Sequence, residues 1–275
     1  MSSSLTSKPA IGLETVEEIA SAIAAAEQGI RNASLSTAAR AEWGRKQQRA
    51  YRALSGHSGW DSAVRALVPT GLQPAFDYNV AARLAVYAEA AKHPVNPPLP
   101  TLPAWTIVEP RPIAELMSYY REAQAATGVP WAYLAAINMV ETRFGRIAGT
   151  SWVGAEGPMQ FLPSTWKLCC TGNVLDPHDA ILGAAAYLVM RGAPQNIDKA
   201  LYGYNPNRGY VDAVEAYARN MLDDASALAG YHAWEVYVDS SVGTIRLPTG
   251  FGAQEPIDAA SYLAAHPEDL APVNN

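Results

Sequence analysis

The stretch "VETRFGRIAGTSWVGAEGPMQFLPSTW", residues 140–166, decides how this chain is read. Glu141 closes an otherwise apolar run, "WAYLAAINMVE", in which Trp131, Leu134, Ile137 and Val140 recur at spacings of three and four. That period predicts a helix with one face in a core. Pro130 suits its first turn and Gly145 its end, so Glu141 falls in the last turn. The carbonyl end of a helix disfavours negative charge, and burial against Met139 and Phe144 adds desolvation. Both raise a carboxyl pKa, which a general acid working near neutral pH requires. Arg143 and Arg146 would oppose this if they touched the acid. Two residues on, Arg143 is expected on a different face; Arg146, past the helix end, can turn either way. Taken alone, a helical glutamate of this kind is more often half of a surface ion pair.

Outward from this stretch, the chain reads as mainly α. Residues 1–93 are expected to form an N-terminal helical segment. "TVEEIASAIAAAEQGI" opens on Thr15 with Glu18 three residues on, a capping box, and "STAARAEWGRKQQRAYRAL" and "PAFDYNVAARLAVYAEAA" follow with helical spacing. In residues 94–112, seven of nineteen positions are proline, so an extended connector is expected, tied down by Trp105 and Ile107. A helical domain then runs over 113–230. Gly128 is placed to cap "IAELMSYYREAQAATG". A short helix is expected around "PSTW". Asp176, Pro177 and Asp179 read as the start of the helix "DPHDAILGAAAYLVMRG" and are therefore not assigned to chemistry. Two further helices flank the turn "YNPNRG". Residues 231–275 are expected to hold a small β-hairpin, "WEVYV" and "TIRLP" around "DSSVG", then a helix and a tail.

The composition excludes several functions. The chain has 275 residues, 49% hydrophobic and 17% charged, with a net charge of −6 and a pI near 5.4. An acidic balance argues against nucleic acid and against anionic lipid as partners. No apolar run approaches the ~20 residues that span a bilayer. The start "MSSSLTSKPAIG" lacks the apolar stretch of a signal peptide, which is expected to have been removed from an exported protein. The five histidines are scattered and no CxxC pattern occurs, so neither a metal site nor a cofactor is expected. Cys169 and Cys170 are adjacent, a poor geometry for bridging, and are expected as two reduced, largely buried thiols, with a strained vicinal disulfide as the less favoured alternative. "GTSWVG" misses the G-x-S-x-G spacing of a hydrolase nucleophile by one residue and follows no strand, which removes a serine esterase.

The ordered motifs point further. "ETRF" followed by "SWVGAEGPMQF", Ser151 to Phe161, resembles the catalytic segment of lytic transglycosylases of the SLT type, whose domain is goose-type-lysozyme-like. "DPHDAILGAAAYL" and "ALYGYNPNRGYVDAV", with Tyr204, Asn205, Tyr210 and Val211, match two more family elements. The likeness covers about residues 105–225 and is closest to actinobacterial cell-wall forms. Cys169 and Cys170 depart from the tyrosine and glycine expected there.

The resemblance implies an enzyme cleaving MurNAc–GlcNAc β-1,4 bonds of peptidoglycan glycan strands, without water, to 1,6-anhydro-MurNAc ends. Glu141 would be the sole general acid and base, and the substrate's N-acetyl group would take the place of a second carboxylate. Ser151, Gln160, Met159, Phe161, Tyr204 and Asn205 would bind substrate, with Met159 and Phe161 chiefly as wall. Gln160 can donate and accept hydrogen bonds to sugars. Tyr204 would orient Glu141. Gly154 and Gly157 would allow close backbone approach, and Trp152 and Trp166 would stack on sugars or be buried. The protein is expected to work outside the cytoplasm, as a monomer. Two other readings stay open: a goose-type-lysozyme-like hydrolase, for which Glu156 is the one loop carboxylate suitably placed although it reads as exposed loop, and a non-catalytic peptidoglycan-binding module.

Overall fold

The computed structural model describes residues 13–92, 98–151 and 153–271, and among these it is mainly helical, with three short antiparallel strand pairs. Four helices come first: α1 (Val16–Arg31), α2 (Thr37–Ser55), α3 (Asp61–Leu67) and α4 (Gln73–Lys92). The capping box at Thr15 and Glu18 is formed, and Ser36 caps α2 through its hydroxyl. Ile19, Ile23, Leu54, Val64 and Phe76 close a core of their own between these helices. Part of the proline connector, residues 94–97, lies outside the described residues. The rest is laid down as β1 (Thr101–Leu102) and β2 (Thr106–Ile107), with Ile107 buried as expected of a strap.

The second helical group begins with α5 (Ile113–Thr127) and α6 (Trp131–Thr142). Gly128 ends α5 in the left-handed region, as its position predicts. After the strand β3 (Ile147–Ala148) come α7 (Pro163–Cys169), α8 (Pro177–Arg191), α9 (Ile197–Tyr204), α10 (Arg208–Asp223) and α11 (Ala227–His232). Asp176 caps α8 by accepting from the backbone of His178 and Asp179, and Asp179 accepts from Asn173 N. The two acids are thus occupied in local structure. Helix α6 is buried nearly all round, Ala132 to Met139, at the centre of the largest core. A hydrophobic helix surrounded by others has no polar face to present, so more of it is buried than the one face its spacing predicted.

The chain ends with the hairpin β4 (Val236–Ser240) and β5 (Gly243–Leu247), paired from Val236↔Leu247 to Ser240↔Gly243, then β6 (Ile257–Asp258) and α12 (Ala259–Ala265). β6 pairs with β1, and β3 with β2, so the connector is clamped between the carboxyl-terminal part and the loop after α6.

The helical groups on the two sides of the connector pack together. Ala82 of α4 meets Ala213 and Ala216 of α10, small residues that let the two helices approach. Buried polar contacts cross the same junction. Tyr231 Oη donates to Asn79 Oδ1 at 3.0 Å and accepts from Asn220 Nδ2 at 2.6 Å. Trp234 Nε1 donates to Gln47 Oε1 at 3.0 Å, and Gln47 in turn donates to the fully buried Glu27 at 2.9 Å.

Candidate active site

The site is built around the carboxyl end of α6. The helix stops at Thr142, earlier than the glycine at 145 suggested, because Arg143, Phe144 and Gly145 all take positive φ, 53°, 64° and 82°. Two non-glycine residues in that region are strained and need tertiary support. Phe144 has it in full burial. The Thr142 hydroxyl accepts from Gly145 N at 2.9 Å and donates to the Pro158 carbonyl at 2.7 Å. Asn138 donates to the same carbonyl at 2.9 Å and accepts from Tyr120 Oη at 2.7 Å. The loop after α6 is therefore tied back to the helix that carries Glu141.

Glu141 is half-buried, and desolvation pushes its carboxyl up to about 7. The Tyr210 hydroxyl beside it favours the ionised form and offsets part of that rise. Tyr210 Oη is buried with no hydrogen bond of full geometry among the described residues, so its approach to Glu141 is loose. Neither arginine intervenes. Arg143 donates to the Met139 carbonyl at 2.9 Å and lies over the Trp234 ring at 5.7 Å. Arg146 is buried and runs the other way, to Glu109 at 3.3 Å, Thr249 Oγ1 and the His232 carbonyl. With both cations engaged elsewhere, nothing nearby compensates the buried carboxylate, and the protonated form gains.

The loop residues expected around the acid divide into groups. Ser151 closes the loop itself: its Oγ accepts from Ala155 N at 2.9 Å and its backbone pairs with Ala155 O. Gln160 takes a positive φ of 49° and donates to the Gly157 carbonyl at 2.9 Å, leaving its carbonyl end without a protein donor among the described residues. Met159 is fully buried and Phe161 is 3% exposed, so both are wall rather than contact surface. Phe161 stands at the centre of an aromatic group, 5.2 Å from Trp166, 6.1 Å from Tyr187 and 5.7 Å from Tyr204 between ring centroids. Trp166 is spent on that packing and on Gly183. Trp152 lies outside the described residues. At Gly157 a Cβ would stand 1.9 Å from the Val174 carbonyl oxygen, and φ is +73°, so this position requires glycine. Gly154 also has a positive φ of 82°, with open space around it.

Tyr204 and Asn205 end α9 beside this wall. The Tyr204 hydroxyl donates to the Met159 carbonyl at 2.6 Å instead of to Glu141. Its phenol is raised by burial and then by the charge of Glu141, so it is near the acid without holding it. The neighbour that meets the carboxyl is Tyr210, which Asn207 positions by capping α10 through its Oδ1 on Tyr210 N at 2.9 Å. Sequence reasoning placed Tyr210 in a family pattern and assigned it no role. The signal was available: a tyrosine in the first turn of a helix that the "YN" turn aims at α6. The Asn205 side chain has no protein partner among the described residues and remains free to bond a ligand.

Two further expectations change. Cys169 and Cys170 are joined in a disulfide, not held as thiols. The chain passes from helical to extended between them, at the end of α7, and this carries the two sulfurs to one side, near Gly183. Glu156 is half-buried rather than an exposed loop residue; its backbone pairs with Phe161. It lines a cavity of about 470 Å³ with Gly145, Thr150, Pro158 and Leu175.

This arrangement is that of a small helical domain with one half-buried carboxylic acid whose pKa is raised to about 7. Residues 118–226 match the family model described as the transglycosylase SLT domain. A protein of Thiobacillus denitrificans named membrane-bound lytic murein transglycosylase F is 28% identical over 128 residues, 44% of this chain and 27% of that protein. The chain thus aligns with about a quarter of the length of that relative. No solved structure gives a significant match.

Proposed function

We propose that the chain is a lytic transglycosylase that cleaves MurNAc–GlcNAc β-1,4 bonds of peptidoglycan glycan strands and leaves 1,6-anhydro-MurNAc ends. The observation that carries this reading is Glu141: a carboxyl raised by desolvation to about 7, able to hold and release a proton near neutral pH. Glu141 donates its proton to the glycosidic oxygen as the bond breaks. The substrate's N-acetyl oxygen stabilises the developing positive charge at the anomeric carbon. Glu141, now a carboxylate, removes the proton of the C6 hydroxyl, whose oxygen closes on that carbon. One residue thus serves in turn as acid and base, which suits a pKa near the working pH. Tyr210 steadies the ionised interval, and Gln160 and Asn205 offer amide groups to the sugars.

Glycan strands lie outside the cytoplasmic membrane, so the protein is inferred to act there. No helix among the described residues is long and apolar enough to cross a membrane.

The test is mass spectrometry of soluble products from purified sacculi, with Glu141→Gln beside the parent protein. Anhydro ends, one water lighter than reducing ends, are expected from the parent alone. Reducing ends would replace the proposal with hydrolysis, and equal release by both proteins would remove the enzyme reading.

A further inference from the structure

A second cavity, of about 550 Å³, opens between α2, α5 and α11, and Glu141 is not among its walls. Arg40, one turn into α2, lines it together with Thr37, Ile113, Met117, Ser226 and Leu228. No acidic side chain lines it. Arg40 differs from the other arginines of its own helix, of which Arg52 lies over the Tyr237 ring. Arg45 and Arg49, further along α2, both pair with Glu42. Arg40 has no acid partner among the described residues, and its Nε is buried with no hydrogen bond. This is not for want of acids in a chain with a net charge of −6. A buried guanidinium nitrogen left unsatisfied costs free energy unless a ligand or water supplies the acceptor.

A second feature of the same cavity has the same sign. Helix α5 begins at the wall with Pro112 in the capping position, and proline has no side chain that can accept. The backbone N–H groups of Ile113 and Ala114 have no acceptor among the described residues. They form the positive end of a 15-residue helix. His232, on the opposite wall, is lowered by burial, stays neutral at pH 7 and adds apolar surface.

We propose that this cavity binds the free carboxylate of a short peptide with small apolar side chains. Arg40 and the uncapped start of α5 take the carboxylate. Ile113, Met117 and Leu228 cover the apolar side chains, and the Thr37 and Ser226 hydroxyls are available to the peptide groups. A bare phosphate would gain nothing from the apolar walls. The biological source rests on the transglycosylase reading: the peptide stems of peptidoglycan carry such ends. The site would hold a stem while a glycan strand occupies the groove at Glu141. Thr37 and Arg40 lie outside residues 118–226, so the site belongs to this chain and not to its family as a whole.

The test is calorimetric titration of the full chain with N-acetyl-Ala-Ala-Ala, beside its carboxyl-terminal amide, laurate and inorganic phosphate. The free acid is expected to bind in the millimolar range or tighter. Amidation of the peptide, or Arg40→Gln in the protein, is expected to weaken binding by about tenfold or more, the loss of a charge-assisted hydrogen bond. Ala114→Phe, which fills the cavity without touching its charge, should abolish it. Glu141→Gln should bind like the parent, and Arg40→Gln should cleave peptide-free glycan strands at the parental rate. Equal binding of acid and amide, unchanged binding by Arg40→Gln, tighter binding of phosphate or laurate, or no binding at all would each overturn the proposal. Peptide binding without anhydro products would leave this site standing and remove the transglycosylase reading.

Discussion

Glu141 is a weak acid made weaker by its surroundings, and its two arginine neighbours matter by their absence. Had Arg143 or Arg146 reached it, the carboxyl would titrate low and could not donate a proton near neutrality. Instead Arg143 stacks on Trp234 and Arg146 pairs with Glu109. Glu141→Gln is expected to cut anhydro-product formation by about two to four orders of magnitude. The same variant should be more stable at high pH. Because the folded-state pKa, at about 7, lies above the 4.5 of a freely solvated glutamate, folding is unaffected by this group below pH 4.5. The cost of burying the charge grows between those values and is complete above 7, reaching up to about 3 kcal/mol. Melting temperatures of the parent and Glu141→Gln should therefore agree near pH 4 and diverge by pH 8; equal stability at pH 8 would contradict the raised pKa. Tyr210→Phe removes the hydroxyl that favours the ionised form, so the alkaline limb of the activity profile should move to higher pH. A limb that stays in place would show that Tyr210 does not act on the acid.

At the scale of elements, the loop between α6 and α7 behaves as one piece. Its two ends are joined to α6 through the Pro158 carbonyl, its middle is closed by Ser151 and Ala155, and Gly157 passes directly under the Val174 carbonyl. Gly157→Ala should cost at least about 2 kcal/mol in urea unfolding, from an unfavourable φ together with a backbone collision. Gly154, with a similar φ but open space, should tolerate alanine better. If the two substitutions cost the same, the collision at Val174 is not the cause. These assignments were partly legible beforehand. The motif order placed Ser151, Gln160, Tyr204 and Asn205 near one another, and the capping residues Thr15, Asp176 and Gly128 were readable because each acts on backbone within a few residues. The helix end at Thr142 was not. It depends on Asn138 and Thr142 holding a carbonyl that lies 16 residues or more along the chain. Nor was the exchange of roles between Tyr204 and Tyr210, since both occupy the same motif and only the rotation of α9 against α10 distinguishes them.

Across the whole molecule, the amino-terminal helices complete the core that α10 and α11 leave open. Asn79 supplies the acceptor for the buried Tyr231 hydroxyl, and Gln47 the acceptor for the Trp234 indole. Trp234 is also the ring on which Arg143 rests, so α2 is connected through two contacts to the end of the helix that carries the acid. Asn79→Ala should cost about 1–3 kcal/mol, the price of a buried hydroxyl left without its acceptor, measured by urea unfolding. A cost near zero would mean that water replaces the amide there.

What the sequence alone determined is local. Helix periods, caps and turn glycines follow from contacts between residues three or four apart. The ordered motifs pointed to Glu141 as the candidate acid, to Met159 and Phe161 as wall, and to Ser151 and Gln160 as candidate sugar-binding residues. The tertiary structure decided the rest: which way the arginines turn, which tyrosine meets the carboxyl, that Cys169 and Cys170 are bonded, and that Arg40 faces a cavity without a partner. Desolvation and pairing are sums over neighbours brought together from distant parts of the chain, and no spacing rule along the sequence contains them.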